Sequence, residues 1–138
     1  MKQANKLLLL VFLVVLIVLV GCSTEQQITT SESQGNKLLT KSSQGTVSID
    51  LTPHKVSNGN LVVDIAVNTH SGDLSEFDLL QLVTLEFDGT TIKPKSAPQL
   101  QGHHSSGELV FDVKEDISNF KIIIKDIPDI EERVFEWL

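Results

Sequence analysis

The stretch NLVVDIAVN, residues 60–68, decides the fold. Leu61, Val63, Ile65 and Val67 fall on one side of an extended chain, with Asp64 and Asn68 on the other. A period of two belongs to a strand with one buried and one wet face. A register slip of one residue would turn the whole apolar row to water, so the pattern also fixes which face is buried.

The same period recurs on either side. TVSIDLT (46–52) aligns Val47, Ile49 and Leu51. VTLEFD (83–88), GELVFDV (107–113) and NFKIIIK (119–125) align Val83/Leu85/Phe87, Leu109/Phe111/Val113 and Phe120/Ile122/Ile124. Asn58-Gly59 and Asp88-Gly89 tolerate the positive φ of a type I′ turn, and the second joins 83–87 to a short strand, TTIK (90–93). Pro53 interrupts ladder pairing and marks an edge or a bend. ERVFEWL (132–138) forms the last strand and carries the only Trp. SGDLSEFDLLQ (71–81) has room for one helical turn, with Ser75 as its N-cap. Seven short strands of this kind predict an all-β fold, a single antiparallel immunoglobulin-like β-sandwich, with a small barrel as the alternative.

The N-terminus has a different character. Lys2 and Lys6 precede fourteen unbroken apolar residues, Leu7 to Val20, which match the basic and hydrophobic regions of a secretory signal. The run is short for a bilayer span, which takes roughly 20 residues. LVGC (19–22) follows, and it resembles the lipobox of bacterial lipoproteins. That resemblance implies cleavage between Gly21 and Cys22, diacylglyceryl transfer to the Cys22 thiol, and N-acylation, such as palmitoylation, of the new terminus. The alternative is an uncleaved anchor with an incidental Cys. The expected organisation is a signal peptide over 1–21, a lipidated Cys with a flexible polar linker over 22–45, and the sandwich over 46–138. Leu38-Leu39 is the one apolar interruption of the linker and a candidate for docking on the domain. The expected location is the extracytoplasmic face of the cell membrane, held by lipid.

Cys22 is the only cysteine, so no internal disulfide braces the domain. Removing Lys2 and Lys6 with the signal takes the net charge from −7 to −9. An acidic chain without Tyr argues against nucleic acid, which rewards clustered Lys and Arg and aromatic stacking. It argues equally against electrostatic adhesion to anionic lipid.

Chemistry-bearing residues gather in two segments. His70 follows the strand 60–68, and His103 and His104 precede the strand 107–113. Strand ends of a sandwich share an end of the domain, so the three imidazoles form a candidate zinc or copper site, with Asp73 or Asp78 as helpers. Adjacent histidines on a regular strand point to opposite faces, so both serve one ion only if Gly102 and Ser105-Ser106-Gly107 break the alternation. The plainer reading is that these side chains satisfy loop amides and carbonyls; a small-ligand role is a third. A hydrolase built from Ser105 or Ser106, His104 and Asp73 or Asp78 is remote, because no G-x-S-x-G elbow is present. The acids of DIPDIEERVFEW (126–137) lack EF-hand spacing and read as a solvated face.

THSGDL (69–74), GHHSSGELVF (102–111) and ERVFEW (132–137) together resemble an uncharacterised prokaryotic family of small secreted or lipid-anchored domains with THSxDL and GHHxxGxLxF motifs. The resemblance covers most of residues 46–138 and directs attention to Thr69, His70, Ser71, Asp73, Leu74, Gly102, His103, His104 and Gly107. The chain departs from the family where Ser105 replaces a basic residue. The family brings no activity with it. The function expected is a non-enzymatic binding or accessory module with a protein or small-ligand partner, and metal handling through His70, His103 and His104 is the alternative.

Overall fold

The structure, a computed structural model, describes residues 36–138. The apolar run, the lipobox and Cys22 lie outside the described residues. Among the described residues no helix is long and apolar enough to cross a membrane.

Among the described residues eight strands form two four-stranded antiparallel sheets. The first sheet has the order β1-β2-β3-β6, from Lys41–Ser43, Val47–Pro53, Asn60–Thr69 and His104–Asp112. The second has the order β5-β4-β7-β8, from Thr90–Ile92, Val83–Phe87, Phe120–Ile127 and Ile130–Trp137. Every apolar row read from the sequence turns inward: Val47, Ile49 and Leu51 from β2, Leu61 to Val67 from β3, and Leu109 and Phe111 from β6 meet Val83, Leu85, Ile122, Ile124 and Phe135. With β2, β3 and β6 as strands A, B and E and β4, β7 and β8 as C, F and G, β5 lies beside C in an immunoglobulin-like Greek key.

Turn chemistry sets the hairpins. Asn58 and Gly59 take φ 52° and 74°, and Asp88 and Gly89 take 46° and 74°, the double positive φ of type I′ turns. Pro53 ends β2, opposite Val63 at the last position of the ladder with β3.

The pairing differs from the sequence reading in two places. Backbone hydrogen bonding starts before residue 46. Leu38 donates its amide to the Pro53 carbonyl at 2.7 Å, and Lys41–Ser43 pairs with Ile49–Leu51 as an added edge strand. Backbone pairing holds this polar segment, which has no apolar alternation to announce it; Leu38 packs on the core while Leu39 stays exposed. The second place is β6, which begins at His104 rather than 107 because Asn68, Val67 and Ala66 of β3 supply partners for His104, Ser105 and Ser106.

The open edge of β6 is covered by the crossover from β5. Ser96 exchanges backbone hydrogen bonds with Val110, Pro94 and Leu100 are buried, and Pro98 lies over Gly107. Such cover removes the free donors and acceptors through which sheet edges aggregate. On the opposite side β1 lies beside β8, where Trp137 stacks on Phe120 and donates Nε1–H to the Leu39 carbonyl at 2.7 Å.

Candidate functional site at the histidine end

The THSGDL and GHH segments meet at one end of the sandwich and are tied into a clasp. Thr69 is buried at the last position of β3, donates its hydroxyl to the Thr46 carbonyl at 3.0 Å and accepts the Ser71 amide at 3.2 Å. The Thr69 amide donates to the His103 carbonyl at 2.9 Å. Past the turn, the Leu74 amide donates to the Gly102 carbonyl at 2.9 Å. Gly102 takes φ 59°, a conformation natural to glycine, and so redirects the chain into β6. Leu74 and Leu79 anchor the connection in the core.

The two aspartates expected to help a metal are both used as caps. Asp73 accepts the Ser75 amide at 2.9 Å and opens a 3-10 turn, Leu74–Glu76. Asp78 accepts the Leu80 amide at 3.0 Å and opens α1, Leu79–Leu82. Ser75 is therefore the recipient of a cap rather than the cap itself, because a carboxylate two residues back reaches its amide. The Ser75 amide and hydroxyl, with lesser help from the Gly102 amide and the His103 imidazole, hold the Asp73 carboxyl below the ordinary carboxylate range against the opposing desolvation.

Of the three candidate histidines, the structure brings two together. The His70 and His104 rings stand edge to face with centroids 6.0 Å apart. His104 Nδ1 lies 2.9 Å from Asn68 Oδ1, its cross-strand neighbour on the solvent face. His103 is exposed and precedes β6, outside the strand that carries His104. Gly102, at φ 59°, and His103 form the bend that leads into β6. Among the described residues no three of His, Cys, Asp and Glu are grouped to hold a metal ion. The β3–β6 register pairs Ser105 with Val67 and Ser106 with Ala66, and neither serine is hydrogen-bonded to His104 among the described residues.

Three features escaped the sequence reading. Asn68 reads only as a wet-face residue, and its role depends on a β3–β6 register set across a long connection. Arg133 is 2% exposed and points into the sandwich, donating from Nη2 to the Val47 and Pro128 carbonyls at 3.1 Å each, while Nε and Nη1 have no partner among the described residues. Its place on the Phe135 and Trp137 side of β8 was the available signal. Third, at the middle of β3, Lys37 and His54 converge on Asp64 at 2.6 and 3.1 Å, the latter poorly aligned for a hydrogen bond. Desolvation pulls the Asp64 carboxyl up, but Lys37 and His54 together hold it below the ordinary value.

The chain matches no protein-family model, no curated protein and no solved structure.

Proposed function

We propose that the chain is an extracytoplasmic lipoprotein, held to the membrane through Cys22, whose sandwich is a non-enzymatic binding module. The observation that carries this reading is the polarity of the domain. Asn36, where the described chain begins, accepts the Lys55 amide, and Leu38 binds Pro53, so the linker enters beside the turn before β3. The histidine clasp lies at the other end of β3, about 30 Å away for ten residues at a strand rise of about 3.3 Å. A tether at one end and a braced pair of exposed imidazoles at the other suit a module that reaches away from the membrane.

The clasp supports binding because its backbone ties freeze the loops before a partner arrives, which lowers the ordering cost of association. Loops at sandwich ends on a rigid scaffold are common places for recognition. Metal handling is a second reading, favoured by the 6.0 Å approach of His70 and His104.

The anchoring is tested by growing cells that express the full chain with labelled palmitate and fractionating them. Wild type is expected in the membrane fraction carrying label, and Cys22→Ala unlabelled. Equal partitioning of an unlabelled wild type and the variant would overturn the lipoprotein reading.

A further inference from the structure

We propose that His70 and His104 form a two-imidazole site for a zinc or copper(II) ion, with His104 pre-oriented by Asn68 and the ion's other positions left open to water or to a partner's ligand. The inference rests on the reading of the domain as a binding module and names what its exposed end would bind.

The argument begins at Asn68. Its Oδ1 only accepts hydrogen bonds, so the 2.9 Å contact with His104 Nδ1 is a hydrogen bond in the tautomer that carries the hydrogen on Nδ1. The lone pair of the neutral ring is then on Nε2, the nitrogen remote from Asn68. A ligating histidine characteristically donates its other ring N–H to an oxygen acceptor, which fixes the tautomer and raises the basicity of the metal-binding nitrogen. Asn68 is itself held on the solvent face of β3 opposite His104, so the acceptor is part of the sheet.

His70 supplies the second ligand. It is exposed, one residue beyond β3, and its ring already stands 6.0 Å from that of His104. Zinc–nitrogen bonds of about 2.0–2.1 Å place each ring centre roughly 3.2 Å from a shared ion, so two rings on a tetrahedral ion sit about 5 Å apart. The difference of about 1 Å is within the reach of a rotation about the side-chain torsions of an exposed residue. The fixed ring and the free ring thus divide the task between orientation and closure.

The backbone below the pair does not have to move. Thr69 and the clasp hold the segment between Asn68 and His70, and the Thr69 amide is bonded to the carbonyl of His103, next to His104. His103 contributes this carbonyl and not its ring. Two protein ligands leave a first-row ion with open positions, as sites that act on or present an exogenous ligand require. Neutral imidazole favours zinc and copper over magnesium or calcium, which prefer oxygen.

The test is calorimetric titration of the full chain in non-ionic detergent with zinc chloride, copper(II) chloride and magnesium chloride. Wild type is expected to bind one zinc or copper ion per chain and no magnesium. His70→Ala and His104→Ala are each expected to weaken binding at least tenfold, and His103→Ala to bind as wild type. Asn68→Leu, which keeps both ligands and removes only the acceptor, is expected to weaken binding about threefold to tenfold. Circular dichroism and thermal melts show that each variant is folded. Should His104→Ala fail to fold, nuclear magnetic resonance of the wild type with substoichiometric zinc reads the same point through the His70 and His104 ring signals. No zinc or copper binding, or equal loss in His103→Ala, overturns the site. Membrane partition of the same samples is read separately, so an anchored chain that binds no metal refutes this site and leaves the anchored module standing.

Discussion

Gly107→Ala sets two opposing effects against each other at the edge of the sandwich. A Cβ on Gly107 would lie 2.5 Å from Pro98 Cβ and 2.9 Å from its Cγ. Carbon atoms prefer about 3.5–4.0 Å, so the crossover or β6 must shift by about 1 Å. The crossover is not free to do so, because Ser96 is laddered to Val110 and Leu100 is buried in the core. Overpacking of this kind costs about 1–3 kcal/mol. Replacing a strand glycine with alanine returns about 0.5–1 kcal/mol by restricting the unfolded chain. The clash wins, for a net loss of about 1–2 kcal/mol. The assay is urea unfolding, with the midpoint expected to fall by roughly 0.5–1 M at unchanged m. In a Pro98→Gly background, which removes the clashing atoms, the alanine should recover most of its penalty. A Gly107→Ala protein as stable as wild type, or an equal penalty in both backgrounds, would refute the reasoning and leave Gly107 without a structural explanation.

Further outcomes at three positions follow from the same geometry. Trp137→Phe keeps the stack on Phe120 but loses the Nε1 hydrogen bond to Leu39, and chemical denaturation should show a loss of about 1 kcal/mol. Arg133→Ala empties a buried position and strands the Val47 carbonyl, costing about 2–4 kcal/mol. Arg133→Met, which fills the space without burying two unpartnered nitrogens, should recover at least half of that loss. Asp73 has a lowered folded-state pKa, so its contribution is complete above the ordinary carboxylate pKa and is lost as pH falls through the lowered value. The stability gap between wild type and Asp73→Asn should therefore narrow as thermal melts are taken from neutral pH into the acid range, and a pH-independent gap would contradict the cap.

Much of the sandwich was legible because burial writes a period of two wherever a strand has one wet face. Leu61 to Val67 and Val47 to Leu51 carry it, Asn58-Gly59 marks the turn between them, and Asp88-Gly89 marks the β4–β5 turn, through the positive φ these residues tolerate. Strand β1 was illegible because Lys41-Ser42-Ser43 is polar on both faces and is held by backbone pairing alone. The start of β6 was hidden for the same reason, since His104, Ser105 and Ser106 look like loop and pair like strand. The site was legible as a list of residues but not as an arrangement. Whether His103 or His104 meets His70 depends on the parity of one register across a long connection, and local sequence does not encode it. Capping by Asp73 and Asp78 was readable in principle, as each precedes its recipient amide by two residues.

The central claim is that the clasp presents His104 and His70 as one oriented pair, and the tautomer of His104 tests it most directly. Long-range proton–nitrogen correlation spectra of the nitrogen-15-labelled full chain in detergent micelles, above the imidazole pKa, report which ring nitrogen carries the proton. The account predicts an Nδ1–H tautomer for His104 in wild type and loss of that preference in Asn68→Leu, with zinc then perturbing His104 Nε2 and the His70 ring while His103 is silent. An Nε2–H tautomer for His104, or a zinc response centred on His103, would contradict it.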